Sequence, residues 1–313
     1  MKISAPAKVN LFFEVHRRRA DGYHEIESLV SAVTLFDTLE AERRNDGEVR
    51  LTVKIPEEAP FPKLFASTPI PTGETNLVCR AAKRLAEAVS PEKFCGADII
   101  LWKRIPSEAG LGGGSSDAAA TLVLLNALAE LGLSRERLRE LGQKLGCDVP
   151  LFLTDSPVVC TSLGESLETV PGAASLPKLS LVLIKPSAGL STPQVYRNST
   201  PREKASEPIK MNLSHLLAYW KKGDLSGIAG QLFNRLEAPA KTLLPEIGEI
   251  RQACMSLDDP CVGFSMTGSG SACFGLCRDE RHAQHVAECL KKRSTWTVFP
   301  VETLSIIQKE ILP

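Results

Sequence analysis

Residues 3–15 alternate between two kinds of position. Ile3, Ala5, Ala7, Val9, Leu11, Phe13 and Val15 share one face, and Ser4, Pro6, Lys8, Asn10, Phe12 and Glu14 share the other. A period of two predicts a strand, with Lys8 and Asn10 adjacent on its polar face. Pro6 cannot donate to a ladder, so the start of this strand is expected at an edge or at an interruption. Asp21-Gly22 is a turn signal, followed by a strand-like segment over 48–55 and a proline-rich loop over 56–71. Helical spacing returns over 75–89, with Leu77, Ala81, Leu85 and Ala88 on one side. "GADIILWKRIP" reads as a strand that leads into a glycine-rich loop, and a helix is expected over 116–131, stopped by Gly132. A further helix starts at a Ser134 N-cap and ends at Gly146, after which "CDVPLFLT" turns into a strand.

The second half opens with a hairpin-like stretch over 158–170 and the strand "KLSLVLIKP". A polar segment over 198–208 reads as an exposed loop. Helices are expected over 212–222, 225–233, 245–257 and 280–293. A second glycine-rich turn, "SMTGSGSACFGL", precedes a strand, and a last strand covers 297–303. The pattern is that of an α+β protein. Its 313 residues exceed the size at which one core stops growing, about 250–300 residues. Two domains are therefore expected, residues 1–155 and 156–313.

Charge narrows the class of partner. Lys+Arg and Asp+Glu number 37 each, which argues against nucleic acid or an acidic membrane face held through bulk charge. A small charged ligand in a local pocket stays open. The start alternates instead of showing the apolar run of a signal peptide, and the longest apolar stretch, 118–133, is interrupted by Asn126 and Glu130. The expectation is a cytoplasmic protein without a membrane span. Nine cysteines form no framework; Cys273, Cys277, His282, His285 and Cys289 superficially suggest zinc but lack a tight knuckle, and they read as core packing and helix surface.

The chemistry concentrates in "GLGGGSSDAAA", residues 110–120. Glycines let backbone N–H groups approach an anion, and a helix start adds unpaired donors and partial positive charge. Strand, glycine loop and helix together make a phosphate cradle. Ser115 and Ser116 add hydroxyls that can donate to phosphate or offer oxygen to magnesium. The loop lacks the lysine of the Walker motif, and Ser115 stands where the dinucleotide fingerprint needs its last glycine.

"PSEAGLGGGSSDAAA" resembles the phosphate-binding motif of the GHMP kinases, the superfamily of galactokinase, homoserine kinase and mevalonate kinase. "PAKVNLFFEV", "RADGYHEIESL", "GCDVPLFL", "KPSAGLSTPQVY" and "SMTGSGSACF" follow the same order, so the resemblance covers nearly the whole chain. They are similar to a branch whose substrate carries a cytidine diphosphate group and is phosphorylated at its 2-hydroxyl in the non-mevalonate route to isoprenoids. "DGYHEIESL" speaks against a mevalonate-type or homoserine kinase. A protein of this fold that binds nucleotide but has lost catalysis is a further alternative, against which stand Lys8 and Asp148.

The resemblance implies a two-domain GHMP-kinase-like fold with its active site in the interdomain cleft, ATP as co-substrate, and magnesium through ligands the sequence does not reveal. It places ATP against Gly110, Leu111, Gly112, Gly113, Gly114, Ser115 and Ser116, with Asn76 near the adenine ring and Lys103 lining the same region. By residue type alone Asn76 is an adequate helix N-cap. Asp148 and Lys8 become the catalytic pair. Read alone, Asp148 could equally bond its own loop, and a strand lysine is ordinarily solvated. Pro150 is expected to hold Val149 extended and so stiffen the backbone beside Asp148. Asn10, Tyr23, His24, Thr192, Tyr196 and Thr267 fall at substrate positions. Tyr23 and Tyr196 are expected to sandwich the cytosine while His24 reads its polar edge; both threonines could otherwise be turn-capping hydroxyls. Oligomeric state is left open.

Overall fold

A computed structural model describes residues 1–20, 22, 24–57, 70–199 and 211–305. Its first two strands are long. β1 (Lys2–Arg18) and β2 (His24–Arg43) pair antiparallel, with register shifts after Pro6, Asn10 and Val15. The first shift falls at the proline, as expected of a residue with no N–H to give. Both faces of β1 are buried from Ala5 to Val15, so the alternation separates two packed environments and not core from solvent.

In chain order the remaining elements are β3 (Val49–Lys54), α1 (Leu77–Ala86), β4 (Ala97–Trp102), α2 (Gly113–Leu128), α3 (Arg135–Gln143), β5 (Val158–Ser162), β6 (Ser166–Thr169) and β7 (Ser180–Lys185). They continue with α4 (Thr192–Arg197), α5 (Leu213–Lys222), α6 (Leu225–Ala229), β8 (Phe233–Asn234), α7 (Glu237–Leu243), α8 (Glu246–Met255), β9 (Gly263–Met266), β10 (Cys273–Cys277), α9 (Glu280–Arg293) and β11 (Thr297–Leu304).

β2 is the hub of the sheet. It pairs with β1 on one side; on the other it meets β5 through residues 26–30, β11 through 32–33 and β4 through 38–43. The main path runs β3-β4-β2-β11-β7-β10-β9. β11 therefore joins the strands of the first half to those of the second, pairing β2 by its end and β7 by its start.

α2 is apolar nearly all round, and Ala118, Ala119, Ala120, Leu122, Leu124 and Leu125 are buried. A helix of that kind belongs inside. It packs with α1, α3 and the apolar sides of β1–β4 into one core. Ser134 caps α3 as expected, its hydroxyl accepting from Arg137 N–H.

Three expectations fail locally. "PLFL" forms a one-turn 3₁₀ helix over Pro150–Leu153 in place of a strand, and Val149 is helical (φ −62°, ψ −44°) in place of extended. All four side chains of that turn are buried, so packing overrides the preference that a following proline imposes. The helix expected over 116–131 starts three residues earlier, inside the glycines. Of the five residues whose spacing superficially suggests zinc, Cys273 and Cys277 are buried in β10, as core packing requires, while Cys289 Sγ lies 3.6 Å from His285 Nε2, four residues back on α9.

Candidate active site

The glycine loop and the first strand are tied backbone to backbone, with Lys8 N–H donating to Leu111 O at 3.0 Å. Gly110 and Gly112 have φ of +73° and +70°, where glycine carries no Cβ penalty. A Cβ on Gly112 would lie 2.9 Å from Phe152 Cζ and 3.1 Å from Lys8 Cγ; on Gly113 it would lie 2.8 Å from Ile105 Cγ2. The loop backbone thus rests directly on Lys8 and Phe152. Gly112 is the N-cap of α2, and the first intrahelical bond is Ser116 N–H to Gly112 O at 2.9 Å. The N–H groups of Gly113, Gly114 and Ser115 precede it and lie at the positive end of the helix. Ser116 Oγ is buried with no hydrogen-bond partner, beside the half-buried Ser115.

Lys8 is 5% exposed, and its ammonium donates to Asn10 Oδ1 at 2.6 Å. The adjacency predicted from the period of two is therefore a direct bond. Asn10 is itself fixed on two sides. Its Nδ2 donates to Ser28 Oγ at 2.8 Å, and its backbone N–H donates to Thr267 Oγ1 at 3.1 Å. Thr267 Oγ1 in turn lies 3.2 Å from Asn10 Oδ1 and 3.3 Å from Gly110 O, both acceptors for its proton. Residues far apart in sequence thus lock β1, the glycine loop and the second glycine turn into one knot.

Asp148 sits half-buried between α3 and the 150–153 turn. Burial lowers the pKa of Lys8, and the Asp148 carboxylate is the largest influence holding it up. Burial and the same carboxylate push the Tyr196 phenol up, and they push the Cys160 thiol up to about 12. Lys8, Tyr196 and Cys160 therefore all lie within electrostatic reach of Asp148. The rings of His24 and Tyr196 are 5.8 Å apart and tilted by 31°. Thr192 Oγ1 is 2.7 Å from Ser269 Oγ, which joins the start of α4 to the second glycine turn.

Comparison with known proteins supplies the family. Residues 76–156 match the GHMP kinases N terminal domain, and residues 216–294 match the GHMP kinases C terminal domain. A 4-diphosphocytidyl-2-C-methyl-D-erythritol kinase of Pelotomaculum thermopropionicum is 39% identical over 90% of this chain and 91% of its own. The kinase of the same name from Salinibacter ruber is 38% identical over 94% of this chain and 95% of its own.

The chain belongs to the 4-diphosphocytidyl-2-C-methyl-D-erythritol kinases.

A crystal structure titled 4-(cytidine 5'-diphospho)-2C-methyl-D-erythritol kinase superposes with a TM-score of 0.76 at 34% identity, covering 97% of this chain and 99% of that one. The homoserine kinase of Cytophaga hutchinsonii, at 21% identity and a TM-score of 0.71 over 98% of this chain and 95% of that one, shares the fold.

Within this kinase fold, Lys8, Asn10, Thr267 and the loop at Gly110 and Leu111 are joined directly, Asp148 acts electrostatically on Lys8 and Tyr196, His24 lies against Tyr196, and Thr192 bonds Ser269 of the second glycine turn. Tyr23 lies outside the described residues. Asn76 is the N-cap of α1: its Oδ1 accepts from Val78 N–H at 2.8 Å and its Nδ2 donates to Pro71 O at 2.6 Å. Leu77, next to it, is the nearest neighbour a side chain on Gly114 would meet, at 3.5 Å. The start of α1 thus lies beside the loop.

Lys103 differs most from expectation. It does not line an open nucleotide surface. It is buried under the loop, 2.5 Å from Asp37 and 2.8 Å from Asp117, and a Cβ on Gly113 would come within 3.3 Å of its Nζ. Two acidic side chains claim the ammonium before a ligand could. Asp37 also accepts from the backbone N–H groups of Arg104 and Ile105. This group braces the segment that carries β4 into the glycine loop.

The sequence reading missed Asp37, Asp117, Ser28 and Phe152. The first two stand 80 positions apart; the β2–β4 pairing brings Asp37 to the lysine, and the start of α2 brings Asp117. No local pattern announces that.

Proposed function

We propose that this kinase transfers the γ-phosphoryl group of ATP to the 2-hydroxyl of 4-diphosphocytidyl-2-C-methyl-D-erythritol, a step of non-mevalonate isoprenoid precursor synthesis. The names of relatives that match over nearly the whole chain support the substrate. The observation that carries the chemistry is the Lys8–Asn10–Thr267 knot fastened to the glycine loop within reach of the Asp148 charge.

Phosphoryl transfer asks mainly for positioning and charge stabilisation. The loop from Gly110 to Ser116 presents backbone N–H groups and the positive end of α2 to the phosphates. Asp148 accepts the proton of the attacking hydroxyl. Lys8, held by Asn10 and within electrostatic reach of Asp148, supplies the positive charge that the missing Walker lysine would give. Tyr196 and His24 offer aromatic surface for the cytosine, and Thr192 and Thr267 offer hydroxyls to the substrate. Asn76 and Lys103 act on ATP indirectly, by setting the start of α1 and the underside of the loop.

The hydroxyl oxygens of Ser115 and Ser116, one of them buried and unpaired, are the hard donors that magnesium takes. These two residues would hold the ion on the phosphates. A bound ion would supply positive charge to offset that of the phosphates.

Residues 1–155 then serve as the ATP-binding part and 156–313 as the substrate part, with the cytidyl group in the cleft between them. The proposal is of a cytoplasmic enzyme acting on small molecules; among the described residues no helix is long and apolar enough to cross a membrane.

ADP release measured with a panel of alcohols tests the proposal. Turnover is expected with the cytidyl substrate and not with mevalonate or homoserine. ATP consumption unaffected by the cytidyl substrate would reject it.

A further inference from the structure

Thr267 reaches Asn10 and Gly110 from a turn that itself needs holding. The carbonyls on either side of it, Met266 O and Gly268 O, both accept from a single group, Asn234 Nδ2, at 2.7 and 2.9 Å. A carboxamide nitrogen has two protons, and both are spent here. Asn234 Oδ1 accepts from Leu236 N–H at 2.9 Å, which fixes which way the amide faces. The residue is 6% exposed, and its backbone in β8 pairs with Phe13 of β1, the strand that carries Lys8 and Asn10.

The backbone of Thr267 is held from the other side by its own N–H, which donates to Ala272 O at 3.0 Å. Its hydroxyl is then left free to face Asn10, whose Oδ1 accepts from Lys8 at 2.6 Å. A continuous run of bonds leads from Asn234 through the turn to Thr267, then Asn10, then the Lys8 ammonium. Few other side chains can replace it. Alanine removes the Asn234 donor from Gly268 O and leaves Met266 O only the long bond from Ser265 Oγ at 3.4 Å, and aspartate sets an oxygen against both carbonyls.

We propose that Asn234 is a positioning residue for phosphoryl transfer: its carboxamide fixes the 266–268 turn, and through Thr267 and Asn10 it sets the place of the Lys8 ammonium. This rests on the kinase reading above. Asn234 touches neither substrate. Its effect falls on the transfer step and not on the affinity of ATP. Misplacing a reacting group by about 1 Å costs about 100-fold in rate.

Steady-state kinetics of the full chain and of Asn234→Ala, Asn234→Ser, Thr267→Ala and the Asn234→Ala/Thr267→Ala double variant test this, with melting temperatures alongside. Asn234→Ala is expected to lower kcat by roughly 10- to 100-fold while the KM for ATP stays within about threefold. Asn234→Ser, which keeps one donor, should lose less. The double variant should be little worse than the poorer single one, because both changes break the same run of bonds. Unchanged kcat in Asn234→Ala, or fully multiplied losses in the double variant, would overturn the assignment. So would Asn234→Ala and Asn234→Ser chains that do not fold, which would make the residue structural only. A wild-type chain without substrate-dependent ADP release would reject the kinase reading as well.

Discussion

Asp117 places one carboxylate oxygen 2.8 Å from Lys103 Nζ and buries the other with no hydrogen-bond partner. Burial pushes its pKa from 3.8 to about 8, Asp37 adds to the rise, and Lys103 opposes it. Burial works against charge on Lys103 too, but Asp117 and Asp37 outweigh it and hold that pKa above its usual value.

The sign of the pH dependence follows. Between pH 4 and pH 8 the folded chain keeps a proton on Asp117 that the unfolded chain releases, so this residue makes stability fall as pH rises through that window. Lys103 adds nothing to the change, since its contribution is complete below its unfolded pKa of 10.5. Asp117→Asn should therefore flatten the fall, and the variant should match or exceed the parent at pH 8. Urea denaturation from pH 5 to pH 9 measures it. A variant with the parent's slope would show that Asp117 is ionised in the fold.

Gly112→Ala places a methyl against Lys8 Cγ and Phe152 Cζ at a residue whose φ is +70°. The backbone strain costs about 1 kcal/mol, too little to unfold the chain. The larger effect is at the site, where Lys8 or the loop must shift. ATP affinity should fall by about tenfold or more, with circular dichroism unchanged. Isothermal titration with ATP decides it, and undiminished affinity would remove the loop from the phosphate site.

Asp148→Asn keeps size and removes the proton acceptor. Turnover should fall by about 10²–10⁴ while both substrates still bind. Lys8→Ala should cost a similar factor, and the double variant less than the product, since the two charges act as a unit. Single-turnover rates with bound substrates measure the step itself. A full-rate Asp148→Asn enzyme would assign the proton to another group.

Tyr196→Ala removes the aromatic surface that faces His24. Base stacking is worth about 1–3 kcal/mol, so the KM for the cytidyl substrate should rise by about one to two orders of magnitude. ATP affinity should barely move. Equal losses for both substrates would indicate a damaged fold and not a lost cytosine contact.

What could be read from sequence was local. The period of two placed Lys8 beside Asn10, and the structure joins them by a hydrogen bond. Capping serine and helical spacing found α3, and spacing found α9 to the residue. The run of small and apolar residues after the glycines announced α2, though not that the helix begins within them. Longer range was closed to such a reading. The 20 residues of β2 serve β1, β4, β5 and β11 in turn and show no single alternation. Lys103 looked like a ligand-facing cation because Asp37 and Asp117 are brought to it only by strand pairing and by the start of α2. Asn234 gave no sign at all, since its partners are backbone carbonyls 32 and 34 positions away.

β11 has a consequence for how the enzyme is made in time. It follows every other described element in chain order, yet it lies in the middle of the sheet path, between β2 and β7. During synthesis the early strands leave the ribosome with that position open. Thr267, too, reaches Asn10 and Gly110 long after they emerge. Domains generally fold as units from the N-terminal end during synthesis, but here the phosphate loop waits for a residue that follows it by more than 150 positions. The nascent chain thus carries Lys8, Asn10 and the phosphate loop well before the threonine hydroxyl that ties them together.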